Sequence, residues 1–98
     1  MYANYLNTEG SNNTALGYLS MQKSTTGSNN VGVGSEVLKK NISATSSVAV
    51  GYNAGFGSAD YNAGELTIIG AEALYNIATG AEDVTALGYR AGYGNTTG

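Results

Sequence analysis

The sequence predicts an all-β fold, a parallel β-solenoid or β-roll of five coils of 17–19 residues. Three observations carry this. A glycine that follows a large aliphatic residue recurs at Gly17, Gly34, Gly51, Gly70 and Gly88, with spacings of 17, 17, 19 and 18. The residues leading into each glycine alternate like a short strand. The segments between repeats hold clusters of Gly, Ser, Asn and Thr that read as turns. A repeat of this length is too short for a propeller blade or a helix pair, and it suits one solenoid coil.

The chain forms a single repeat domain over residues 1–98. Its first element is a partial coil, residues 1–10, because Met1–Gly10 aligns without gaps on Tyr89–Gly98. Gly10 and Gly98 are then equivalent, so the chain opens within a repeat and closes at a repeat boundary. A piece of a longer array would do the same. The five coils follow as residues 11–27, 28–44, 45–61, 62–80 and 81–98.

Each coil is expected to contain a strand, a bend at the anchor glycine, a second short element and a turn. One position before the glycine stand Leu16, Val33, Val50, Ile69 and Leu87. This column predicts an aliphatic ladder inside the coil. Two positions before it stand Ala15, Gly32, Ala49, Ile68 and Ala86, mostly small. They predict close packing on the other face of the strand. The second element contains helix formers in Glu36–Lys40 and Glu72–Tyr75. Gly55, Gly57, Gly92 and Gly94 break the same stretch in other coils, which favours a strand or an irregular extended segment.

Composition narrows the function classes. There is no Cys and no His, which removes disulfides and makes a zinc site untenable. A chain of 98 residues without such staples commonly gains stability by oligomerising. A trimer around a three-fold axis would bury both faces of a thin coil. The net charge of −3 and only four basic residues argue against nucleic-acid partners. No apolar run approaches the roughly 20 residues of a membrane-spanning helix, so no membrane insertion is expected. No cofactor is implied.

Ser47-Val48-Ala49-Val50-Gly51-Tyr52-Asn53-Ala54 resembles the head repeat of the YadA-type trimeric autotransporter adhesins. Asn13–Tyr18 and Thr85–Gly98 are similar to repeats of phage tail fibres. The resemblance covers essentially the whole chain, although the adhesin coils are usually shorter. It implies a left-handed β-roll assembled as an intertwined homotrimer. It also implies a structural or adhesive fibre segment that spaces or presents a host-receptor-binding surface. The setting would be extracellular, on a virion tail fibre or a bacterial cell surface, with a host glycan or protein as partner.

Candidate contacts follow from two aromatic columns and one insertion. Tyr18, Tyr52 and Tyr89 share the position after the anchor, and Phe56, Tyr75 and Tyr93 share a position four residues on. Exposed aromatic rows stack on sugar rings, whereas buried ones fill corners or subunit interfaces. The 19-residue spacing marks an insertion near Asp60, Tyr61 and Asn62. In solenoids an insertion forms a loop, often on the binding face.

Other readings are weaker. A glycosidase needs two carboxylates facing one cleft. Glu36 and Glu72 lie two coils apart, and Glu72 falls one coil from Arg90, where a surface ion pair is the simpler expectation. The chain is therefore read as a non-enzyme. Glu82-Asp83 is too few oxygens for calcium and reads as a solvated turn. Thr14, Thr67 and Thr85 would align as an ice-binding ladder, but Val31 and Val48 break it. Asn12, Asn41 and Asn95 head motifs that match glycosylation acceptors, but in this composition they read as turn residues.

Overall fold

A computed structural model describes residues 11–23, 25–57 and 59–95. It is all-β among those residues, with five three-residue strands. They are β1 (Thr14–Leu16), β2 (Val31–Val33), β3 (Val48–Val50), β4 (Thr67–Ile69) and β5 (Thr85–Leu87). The strands pair in parallel in the order β1-β2-β3-β4-β5 and form a solenoid of about four turns. The register joins equivalent positions: Leu16 meets Val33, Val33 meets Val50, Val50 meets Ile69, and Ile69 meets Leu87.

The anchor glycines make this stacking possible. Their φ angles run from 118 to 133°, a region that L side chains rarely adopt. Their backbones also come close together: a Cβ on Gly51 would lie 2.7 Å from both the carbonyl carbon and the oxygen of Gly70. No larger residue fits there unless the coils separate.

The strand faces are the reverse of the sequence expectation. The aliphatic column points outward, with Leu16 58%, Ile69 37% and Leu87 65% exposed. The small-residue column points into the coil, where Gly32, Ala49, Ile68 and Ala86 are buried. The reason is interior width. The opposite wall supplies the large side chains, namely Met21, Leu38 and Leu74, four positions after their anchors. A Cβ on Gly32 would already meet Met21 Cγ at 3.1 Å. One level of so thin a coil holds one large side chain, so the strand's inward residue must be small.

The exception obeys the same rule. In the third coil the wall position is Gly55, and the space goes to Ile68 from the next strand and to Leu38. Ile68 is the only large residue in the small column because it faces a glycine.

The second element is neither strand nor helix. It is a run of turns in which alternate residues have positive φ: Leu19, Glu36, Asn53, Glu72 and Arg90 two after the anchor, and Met21, Leu38 and Leu74 four after it. The alternation aims every second N–H along the rod axis. Glu36 N donates to Tyr18 O (2.8 Å) in the preceding coil, and Leu38 N donates to Ala54 O (2.9 Å) in the following one. Left-handed residues other than glycine cost roughly 1–3 kcal/mol each. Here the inter-coil hydrogen bonds hold them in place.

Buried amides line one corner. Asn30 Nδ2 donates to Ala44 O (2.7 Å) and to Asn13 Oδ1 (3.0 Å), and Asn30 Oδ1 accepts from Ser47 N (2.9 Å). Ser47 Oγ then accepts from Leu66 N (3.1 Å). Farther along the rod the same column becomes apolar, at Leu66 and Val84.

These observations predict the behaviour of two alanine variants. Gly51→Ala combines backbone strain with collision and should lose about 3 kcal/mol in denaturant unfolding. Gly88→Ala should lose less, because its Cβ meets no atom within 4 Å and only the strain remains. Equal losses would show that the close approach at Gly51 does not matter.

Candidate functional site

The bend at each anchor glycine divides the surface in two. Before it lies the outer face of the sheet. Its exposed members include Leu16, Val48, Ile69 and Leu87, with Thr14, Thr67 and Thr85 between them. Together they form an apolar stripe that repeats at every coil. Just past the bend stand Tyr18, Tyr52 and Tyr89, 53%, 53% and 72% exposed. Ser35 and Ala71 occupy the intervening coils, so these tyrosines recur at about 10 Å, twice the strand spacing.

The second aromatic column is different in kind. Phe56 and Tyr75 stack with centroids 5.0 Å apart, and Tyr75 and Tyr93 stack at 5.1 Å. Lys40 Nζ lies 4.8 Å from the Phe56 centroid, and Arg90 Cζ lies 4.6 Å from that of Tyr93. Both faces of the Tyr75 ring are therefore occupied by its neighbours. Tyr75 offers a ligand its edge and hydroxyl, not a stacking face. Burial raises the Tyr75 phenol above its ordinary range. The neighbouring Tyr93, Glu72, Tyr52 and Glu36 push it the same way.

The insertion residues separate. Asp60 is exposed and ion-paired with Lys23 at 3.0 Å, a link from the third coil to the first. Asn62 is exposed, and its Oδ1 accepts from Ser43 Oγ (2.9 Å). It borders a shallow depression of about 230 Å³ lined by Ser43, Thr45, Gly64, Glu65 and Glu82. Tyr61 corrects the expectation of a surface contact, because it is only 1% exposed. Its hydroxyl donates to Gly55 O, and its ring packs where Gly57 leaves room. The physical cause is again interior volume: the third coil lacks a large wall residue at Gly55, and the tyrosine turns inward to fill it.

Asn41 is also internal. Its Nδ2 donates to Ala63 O (2.9 Å) and its Oδ1 accepts from Ala63 N (3.2 Å), so the amide that glycosylation would modify is sealed in the core. Asn12 is exposed at a turn, while the acceptor motif headed by Asn95 runs outside the described residues. The Glu72–Arg90 pair expected from the columns is present, with Arg90 Nε donating to Glu72 Oε1 at 2.8 Å. That hydrogen bond raises the Arg90 guanidinium further above its ordinary value.

One feature escaped sequence reasoning. Glu36, Asn53 and Glu72 stand in one column on consecutive coils, and Asn53 Oδ1 is buried without a hydrogen-bond partner. The charges and the shared spacing were legible, but burial of the amide was not.

Tyr61 yields a pH prediction. Burial lifts its phenol far above the ordinary value of about 10, and a hydrogen bond with Asn41 opposes this only in part. The folded state therefore keeps its proton where the unfolded state loses it. The contribution is intact below about pH 10 and is lost as pH rises beyond it. Alkaline unfolding should steepen there in the wild type, and Tyr61→Phe should remove that component while costing about 1 kcal/mol at neutral pH. Superimposable alkaline curves would contradict the assignment.

Comparison with protein-family models, with curated proteins and with solved structures returned no match.

Proposed function

We propose that the chain is a segment of a homotrimeric fibre in which three rods bring their outer sheet faces together around a common axis. The fibre spaces or presents a surface that attaches to a host cell, outside the cell that made it, on a virion or a bacterial surface. The observation that carries this reading is the exposed aliphatic column. Leu16, Ile69 and Leu87 project from a sheet that every coil extends in the same register. A continuous apolar stripe of this kind marks an interaction surface. Rods with matching repeats place equal residues at equal heights, which suits closed rotational symmetry. The resemblance to trimeric adhesin heads and tail-fibre repeats points to the same assembly. The mechanism is mechanical: a stiff rod holds several copies of a weak contact, and multivalency supplies the strength.

The test is mass in solution by light scattering. The wild type is expected at about three times the 9.9 kDa chain mass. The Leu16→Lys/Leu87→Lys double variant should fall to one chain mass with an unchanged circular dichroism spectrum, because both side chains are exposed in the single rod. A wild type that is a folded monomer overturns the proposal.

A further inference from the structure

We propose that the row formed by Tyr18, Tyr52 and Tyr89 is a stacking platform for an extended β-1,4-linked polysaccharide. The three residues follow Gly17, Gly51 and Gly88, whose φ angles are 125, 127 and 118°. The strands before those bends share one parallel register. Equivalent backbone at equivalent heights sends the three side chains out of the rod in the same direction. They stand on the first, third and fifth coils, so they recur at about 10 Å, twice the strand spacing.

These rings are open where the second aromatic column is closed. Each is more than half exposed. Phe56, Tyr75 and Tyr93 engage their faces with one another, with Lys40 and with Arg90. Tyr52 takes part in no ring stack and no cation contact among the described residues. Arg90 Cζ lies 5.6 Å from the Tyr89 centroid and covers one face of that ring at most.

The spacing selects the ligand. In a β-1,4-linked chain of glucose-type sugars the ring substituents are equatorial, so both ring faces carry only C–H groups and are apolar. Such a face packs on the electron-rich face of an aromatic ring. The chain is a two-fold ribbon in which the first, third and fifth sugars turn the same face the same way. The length of one disaccharide in that ribbon matches the tyrosine spacing. An α-1,4-linked chain curls into a helix and does not lay alternate sugars along a straight row. Ser35 and Ala71 hold the intervening positions, and side chains this small let a ribbon lie flat between the rings.

Polar groups border the row at the levels between the tyrosines. Glu36 and Glu72 follow Ser35 and Ala71 directly, and their side chains are 23% and 20% exposed. Lys39 Nζ donates to Glu36 Oε2 at 3.0 Å, and Arg90 Nε donates to Glu72 Oε1 at 2.8 Å. Each carboxylate thus gives one oxygen to a cation and has a second for a sugar hydroxyl. The pairing leaves this border without net charge, which suits an uncharged glycan. The platform gives the attachment surface proposed above a ligand class. Its binding does not need the trimer, because the row lies across the anchor bend from the apolar stripe.

The test is an NMR titration of the intact protein with cellohexaose, chitohexaose and maltohexaose. At least one of the two β-1,4-linked sugars is expected to give saturable shifts of the Tyr18, Tyr52 and Tyr89 ring signals, and maltohexaose none at the same concentration. The matching disaccharide reaches a single ring and should bind roughly tenfold or more weakly. Tyr52→Ala removes the middle ring and should weaken hexaose binding by a similar factor, with an unchanged circular dichroism spectrum because the side chain is exposed. Tyr89→Ala repeats the test at the most exposed ring. Absence of shifts with both β-1,4-linked hexaoses overturns the proposal. So does equal binding of maltohexaose, or hexaose binding that either variant leaves unchanged. Mass measured on the same samples separates the two proposals: a monomer that binds removes the trimer alone, and a trimer that does not bind removes this site alone.

Discussion

The close approach of successive coils at the anchor glycines governs the rest of the molecule. Backbone atoms of one glycine occupy the space where a Cβ of the previous one would sit, and the φ of 118–133° excludes L side chains on conformational grounds as well. Once the bends nest, the strands beside them fall into a single register. Each position in the repeat then becomes a column along the rod. A column has one environment, so a residue's neighbours above and below are its own counterparts in adjacent coils.

Interior width follows from that nesting and explains the distribution of side-chain size. Met21, Leu38 and Leu74 fill the coil from one wall, and the facing strand contributes Gly32, Ala49 and Ala86. Where the wall offers Gly55, Ile68 and Tyr61 move into the space. The core is thus conserved in volume along the rod while the position that supplies the volume changes. Its polarity changes as well. The polar ladder of Asn13, Asn30 and Ser47 gives way to Leu66 and Val84, so hydrogen bonding secures the corner at one end and apolar contact at the other.

Because the opposite wall fills the interior, the strand's large aliphatic column is left on the outer surface. Leu16, Ile69 and Leu87 have no place inside and become the stripe on which the proposed assembly depends. The bend keeps this stripe apart from the polar row of Glu36, Asn53 and Glu72.

The solenoid, the strand positions, the register and the Glu72–Arg90 pair can all be read from spacing along the chain. Columns can be read directly wherever equivalent residues stack. Spacing did not determine which side of the strand faces inward. Alternation assigns two faces but does not label them, and the label depends on what the opposite wall contributes. The same limit applies to Tyr61, which the 19-residue spacing placed in a surface insertion and which folds inward to replace volume missing at Gly55. The left-handed residues were also hidden, because Leu19, Met21 and Leu38 carry no local preference for positive φ. Only hydrogen bonds from neighbouring coils hold them there. Asn53 is the clearest case: its column was legible, but its unmatched carbonyl exists only once the coils close over it.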